Sequence, residues 1–74
     1  MKVFGVIEGP IHSSDYDAFA EEDEWVVVCI LEGPGGALVE EEVIFDTFDE
    51  AYEVVKHFKR QMKPIQLVKG GKTS

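Results

Sequence analysis

The residue types that could do chemistry are concentrated near position 12. His12 immediately precedes Ser13 and lies three positions before Asp15, so a general base, a nucleophile and an orienting acid occur together. Catalysis depends on the mutual geometry of such groups, and neighbours in sequence rarely converge on one point. We therefore expect these residues to lie in a polar loop and predict that the protein is not an enzyme.

A metal or cofactor site is not expected either. The acids between positions 15 and 22 could hold a hard cation, but Phe19 and Ala20 stand where a calcium loop needs an oxygen ligand and a glycine. The two histidines and the single cysteine are far apart and lack the paired spacing of zinc ligands. One cysteine also excludes an internal disulfide framework. We predict a solvated acidic loop and no bound metal or cofactor.

One amphipathic helix is expected to position the remaining elements. Apolar residues recur at helical spacing through residues 47–62, which indicates one buried face. Thr47 and Glu50 have the spacing of a capping box, in which each side chain satisfies a free backbone N–H of the first turn. His57 lies four residues after Glu53, so we expect an exposed ion pair between them.

A β-hairpin is predicted before this helix. Residues 25–31 form a run rich in β-branched and aromatic side chains, which favours a strand. The glycines and proline of residues 33–36 indicate a turn, and residues 37–45 return as a second strand.

Three further segments complete the predicted order of elements. Residues 2–8 indicate a strand, which ends at a turn formed by Gly9-Pro10. Residues 11–24 indicate a short helix or a partly ordered loop. Residues 64–69 indicate a short last strand. We predict an α+β fold with a three- or four-stranded, mainly antiparallel sheet and one principal helix at 47–62. A ferredoxin-like βαββαβ arrangement with a short first helix is the alternative. Residues 1–69 would form one small domain and residues 70–74 a flexible tail.

A single long helix cannot cover both faces of such a sheet. In the strand at 25–31, alternation places Trp25 and Val27 on one face, and Val26 and Val28 on the other. The helix can bury only one of these sets. We therefore expect the second face to be covered by residues 11–24, by a second copy of the chain or by another protein.

Charge is strongly segregated along the chain. Residues 1–55 hold all fifteen acids and one base, a net charge of −14, whereas residues 56–74 hold six bases and no acid. A nucleic-acid-binding domain normally needs a basic face, so direct binding of nucleic acid is not expected. A basic protein partner is compatible with this distribution. The sequence has no leader and no apolar run of membrane-spanning length, which predicts a cytoplasmic protein without membrane contact.

The predicted partner-binding residues combine carboxylates with aromatic side chains, because aromatic residues often anchor protein interfaces. We predict a non-enzymatic acidic protein-binding module. The alternative is a small-molecule-sensing or regulatory domain that forms a homodimer through its open sheet face. The predicted contact residues are Asp15, Tyr16, Asp17, Phe19, Glu21, Glu22, Trp25, Glu40, Glu41 and Glu42.

The C-terminal half resembles a known class of inhibitor. An acidic strand, the run Asp46-Thr47-Phe48-Asp49-Glu50-Ala51, a helix and a short final strand follow one another within residues 37–69. This layout is similar to that of small acidic ββαβ proteins, encoded by phages, that inhibit bacterial RNA polymerase. The resemblance implies an inhibitor or regulator of a basic, nucleic-acid-handling host protein, which it would engage through a negative strip. The residues that would form this strip, if they share one face, are Glu40, Glu41, Glu42, Asp46, Asp49 and Glu53.

Overall fold

The computed structural model describes residues 2–61 and 63–67 and the backbone of residues 71–73. It confirms the predicted α+β class, with one sheet and one principal helix. The strands are β1 (Lys2–His12), β2 (Trp25–Glu32), β3 (Leu38–Phe45), β4 (Ile65–Gln66) and β5 (Gly71–Thr73), and the helices are α1 (Ser13–Tyr16) and α2 (Phe48–Arg60). No helix within the described residues is both long and apolar enough to cross a membrane.

The sheet has the strand order β4-β1-β2-β3-β5, and every pair of neighbours is antiparallel. All four strands expected from the sequence are present, but the last one, predicted at residues 64–69, is described only as Ile65–Gln66, and residues 68 and 69 lie outside the described residues. The short strand β5 was not predicted; it lies in the segment assigned to a tail and pairs with the end of β3. A ferredoxin-like sheet would insert a strand between the first and second strands, but β1 pairs directly with β2. The alternative topology is therefore not the one adopted.

The first strand continues through the predicted turn. The expected turn at Gly9-Pro10 is wrong, because β1 runs on to His12 and stays paired with β2. Its register shifts at three places, and one shift spans residues 8 to 11. Gly9 has a φ of +133°, and a Cβ atom there would lie 2.9 Å from the carbonyl oxygen of Val26. Glycine and proline therefore mark an irregularity within a strand here rather than its end.

Helix α2 begins as predicted and ends slightly earlier. Thr47 is the N-cap residue, and its Oγ1 accepts a hydrogen bond of 3.2 Å from the Glu50 N–H. The Glu50 carboxylate accepts from the Thr47 hydroxyl at 3.0 Å, in place of the expected bond to the Thr47 backbone. The helix ends at Arg60, and Met62, the last residue of the predicted helix, lies outside the described residues.

The hydrophobic core lies between α2 and one face of the sheet. It contains apolar side chains from α2 and from the three long strands, and a half-buried Trp25 packs at its margin. We call the sheet face that packs against α2 the helix-side face. The buried core residues are Val3, Val27, Cys29, Leu31, Val43, Phe45, Ala51, Val54 and Val55.

Candidate protein-binding face

The sheet surface opposite α2, which we call the open face, carries acidic residues around an apolar centre. Strand register defines its rows, because residues paired across neighbouring strands share a face. One row joins Glu8, Val28 and Glu42, and the next joins Gly5, Ile30 and Glu40. A third row joins Ile11, Val26 and Ile44. The open face thus consists of Glu8, Ile11, Val26, Val28, Ile30, Glu40, Glu42 and Ile44, with Gly5 between two of the rows.

The centre of the open face is partly covered by the chain itself. Val26 is only 4% exposed and Val28 only 9% exposed, whereas Ile30 and Ile44 are half-buried. Of the three covers expected for this face, residues 11–24 supply one, because residues 13–24 return over the end of the face near Val26 and Ile44. Three large apolar side chains that border this face remain exposed, namely Ile7, Tyr16 and Leu38.

Ser13 fixes the segment of residues 13–24 to the sheet. Its backbone N–H donates a 2.8 Å hydrogen bond to the carbonyl oxygen of Glu24. Its hydroxyl donates to the carbonyl oxygen of Glu22 at 2.6 Å and accepts from the Glu24 N–H at 3.2 Å. The two ends of the segment are thereby joined where β1 ends and β2 begins. A short helix was predicted within residues 11–24, and α1 provides it as a single turn.

His12 joins the same two ends through its ring. Nδ1 accepts from the Ser14 N–H at 3.2 Å and from the Ser14 hydroxyl at 2.8 Å, while Nε2 lies 3.1 Å from Asp23 Oδ1. The ring therefore caps α1 with a proton on Nε2. Ser14 and Asp23 are the residues that reach His12, whereas Ser13 and Asp15 were considered from the sequence. The arrangement anchors a loop, because the Nδ1 lone pair that a nucleophile would need also accepts a backbone N–H.

Tyr16 links the covering segment to the acidic strand. Its hydroxyl donates a hydrogen bond to the Glu42 carboxylate, and this bond, together with desolvation and the charges of Glu42, Glu8 and Glu40, raises the pKa of Tyr16 above 10. The side chain remains 43% exposed. Tyr16 is consequently held against the open face and still presents much of its surface to a partner.

Two adjoining depressions lie on either side of Tyr16. A groove of about 470 Å³ separates residues 13–24 from β2 and β3, with Val26 and Ile44 among its apolar lining and Glu21, Glu22 and Glu42 among its acidic lining. A second depression of about 520 Å³ is bordered by Ile7, Glu8, Tyr16, Val28 and residues 40–42. Both combine apolar surface with carboxylates, which suits a cationic side chain with an aliphatic stem.

The structure brings together most of the predicted contact residues but separates two of them. Trp25 faces α2, where its ring packs edge-on against Phe48 at 5.0 Å between ring centroids. Trp25 therefore does not share a face with Tyr16, with which it was expected to form one interface. Glu41 pairs with Cys29 on the helix-side face, although residue 41 also borders the second depression. The residues placed at the open face are Tyr16, Asp17, Glu21, Glu22, Glu40 and Glu42.

Two predicted residues lie on the covering segment outside both depressions. Phe19 is 90% exposed and its N–H donates to Asp17 Oδ1 at 2.9 Å, which fixes the local turn. Asp15 is exposed on α1. Glu8 and Ile44 were not predicted as contact residues, and their membership of the open face follows from pairing between strands. Alternation along β3 would have placed Ile44 beside Glu42, but the bulged β1 gave no such signal for Glu8.

The negative strip expected from the phage-inhibitor resemblance is divided between two sides of the molecule. Glu40 and Glu42 lie on the open face, whereas Asp49 and Glu53 belong to α2 on the opposite side. The six acids therefore do not share one face. A partner that uses the open face would meet the acids of β1, β3 and residues 13–24 instead.

The helix side offers a more mixed surface. Glu53 pairs with Lys56 at 2.8 Å, which lowers the pKa of the Glu53 carboxyl, and His57 Nε2 lies 2.8 Å from the carbonyl oxygen of Lys63. The expected Glu53–His57 ion pair is therefore wrong. A groove of about 400 Å³ at this end of α2 is lined by acids and bases together, including Glu53, His57 and Arg60. It lacks the single sign of charge found on the open face.

The part of the chain that the structure describes contains no cluster of metal-ligating side chains. No group of three or more histidine, cysteine, aspartate or glutamate side chains there is arranged to hold a metal ion. Cys29 is buried in the core, and this burial raises the pKa of its thiol to about 11. Its thiol is therefore a packing group at neutral pH.

Comparison of the chain with protein-family models, curated proteins and solved structures gave no match in any of the three.

Proposed function

We propose that this protein is a non-enzymatic module that binds a basic protein through its open face. The observation that carries the proposal is the composition of that face, where Glu8, Glu40 and Glu42 surround the buried or half-buried side chains of Val28 and Ile30. A negative rim steers a positive partner into place, and an apolar centre supplies area that is removed from water on binding.

The negative charge of the open face favours one class of partner. Proteins that handle nucleic acid carry basic surfaces for phosphate binding, and such surfaces are complementary to the open face. The resemblance of residues 37–69 to phage-encoded inhibitors of RNA polymerase implies the same class of partner, although the negative strip of six acids that it implies is divided between two faces. We therefore propose an inhibitor or regulator of a basic, nucleic-acid-handling protein, acting in the cytoplasm.

Homodimerisation through the open face is expected to be less favourable than binding of a basic partner. A two-fold homodimer would place the carboxylates of Glu8, Glu40 and Glu42 of both copies in one interface, where like charges oppose binding. Light scattering of the free protein separates the two functions. A monomer at micromolar concentration supports a basic partner, whereas a tight dimer would favour the regulatory domain that dimerises.

A lysine-rich peptide is a suitable first probe for the basic partner, provided that charge-matched variants are compared. The variant Glu8→Gln/Glu40→Gln removes two charges from the open face, and the variant Asp49→Asn/Glu53→Gln removes two from α2. We expect the first to weaken binding several-fold more than the second, and raising the salt from about 0.05 M to 0.3 M to weaken binding of the unmodified protein steeply. Equal losses in both variants, or binding that salt does not change, would contradict the proposal.

A further inference from the structure

The acidic edge of β3 has the geometry to accept an added strand. Strand β5 pairs only with residues 43–45 of β3, and no other described strand pairs with the outer edge of residues 38–42. The backbone N–H and C=O groups on an outer edge are available to an extended segment, as in β-strand addition by peptides.

The acidic side chains along this edge of β3 favour an added segment that is positively charged. Glu40 projects on the open face and Glu41 on the helix-side face, and both are exposed. No described cation lies within 4 Å of either carboxylate. A strand laid along the edge would bring its side chains beside these carboxylates on both faces, and opposite charges directly across from each other favour pairing.

A second copy of the chain is a poor occupant of this edge. Antiparallel pairing of β3 with β3 of another copy, centred near residue 41, would set the glutamates of one strand directly opposite those of the other. Like charges in that position destabilise a strand pair. The edge therefore rejects its own copy and accepts a basic strand.

Strand β5 already uses the outer edge of β3 for antiparallel pairing. It carries one base, Lys72, and pairs in the register Val43 with Thr73 and Phe45 with Gly71. A basic strand of a partner would extend this pairing along residues 38–42.

We infer that the basic partner contributes an extended, lysine- or arginine-bearing segment that adds to the sheet along residues 38–42 of β3. This inference rests on the proposed function and specifies how the partner is recognised. It adds a backbone component to the electrostatic one, so binding requires peptide N–H groups as well as positive charge.

Two peptides of equal charge test this mode of binding on the full-length protein. The first alternates lysine and valine with blocked termini, and the second has the same sequence with the nitrogens of its central residues methylated. We expect the first to bind and to slow hydrogen exchange of the amides of residues 38–42. The methylated peptide should bind more than about tenfold more weakly, because each lost hydrogen bond reduces the affinity.

Two single substitutions separate addition to the edge from contact with the open face alone. Glu41 lies on the edge but projects on the helix-side face, whereas Asp49 is exposed on α2 and belongs neither to the edge nor to the open face. Strand addition predicts that Glu41→Gln weakens binding of the alternating peptide by about two- to fivefold and that Asp49→Asn changes it little, whereas contact with the open face alone predicts little change in either variant.

The possible failures have distinct meanings. Equal affinities of the two peptides, or protection of amides elsewhere than residues 38–42, would overturn strand addition and leave the acidic docking function standing. Failure of both peptides to bind at low salt would overturn strand addition and the proposed function together.

Discussion

Replacement of Gly9 by alanine is expected to destabilise the domain by about 2–6 kcal/mol. With φ at +133°, Gly9 adopts a backbone conformation that costs an alanine about 1–3 kcal/mol. A Cβ atom would also lie 2.9 Å from Val26 O and 3.0 Å from Val27 Cα, and such overpacking against backbone costs about 1–3 kcal/mol more. A domain of this length has a total stability of about 4–11 kcal/mol, so the loss is a large part of it.

Gly35→Ala is the matched control for this substitution. Gly35 also has a positive φ, +74°, but a Cβ atom there would meet nothing within 4 Å. We expect this control to lose only about 1 kcal/mol, which is the backbone cost of the left-handed conformation. The difference between the two variants therefore reports the close approach of β1 to β2 together with the less favourable φ of Gly9.

Urea unfolding followed by the fluorescence of Trp25 measures both variants. A slope of about 1 kcal/mol per M, expected for a small domain, converts the loss in Gly9→Ala into a midpoint at least about 2 M lower, against about 1 M for Gly35→Ala. Equal midpoints for the two variants would show that β1 tolerates a Cβ atom at Gly9, contrary to this prediction.

Three further predictions concern single groups. Thr47→Ala should lower the free energy of unfolding by about 1 kcal/mol because α2 loses its N-cap, while Thr47→Ser should restore most of it; urea unfolding measures both. Glu42→Gln should lower the pKa of Tyr16 in an absorbance titration, because Glu42 is the main cause of the raised pKa. The stabilisation from the contact between Tyr16 and Glu42 is present below pH 10 and is lost as the pH rises through the raised pKa of Tyr16. The thiol of Cys29 should react with an aromatic disulfide reagent only as fast as the protein unfolds, and rapid reaction in the native state would contradict its burial.

The elements with strong local signals could be predicted from the sequence. The hairpin of β2 and β3 follows from two β-rich runs around a glycine-rich turn, and α2 follows from its apolar spacing and the cap at Thr47. The continuation of β1 past Gly9 could not be predicted, because glycine and proline mark both turns and bulges. Pairing of residues 8–12 with β2 makes this site a bulge and not a turn. That pairing is a long-range contact, which local sequence does not reveal.

Only the part of the candidate site that lies on β3 could be predicted, because side chains alternate between the two faces along that strand. Alternation separated Glu40 and Glu42 from Glu41, and the register of β3 against β2 agrees. It also placed Trp25 on the same face as Val27, but the sequence did not show which face α2 would cover. Tyr16 and Trp25 were therefore combined in one interface, although the sheet lies between them. The contact of His12 with Asp23 joins residues eleven positions apart and gave no local signal.

We expect the open face, and not α2, to receive a positively charged partner. A map of backbone amide chemical shifts on titration with a lysine-rich peptide at low salt tests this directly. We predict shift changes at Tyr16 and in β3 around Glu40 and Glu42, which disappear as salt is added. Changes centred on the acidic first turn of α2, or no response in β3, would contradict this prediction.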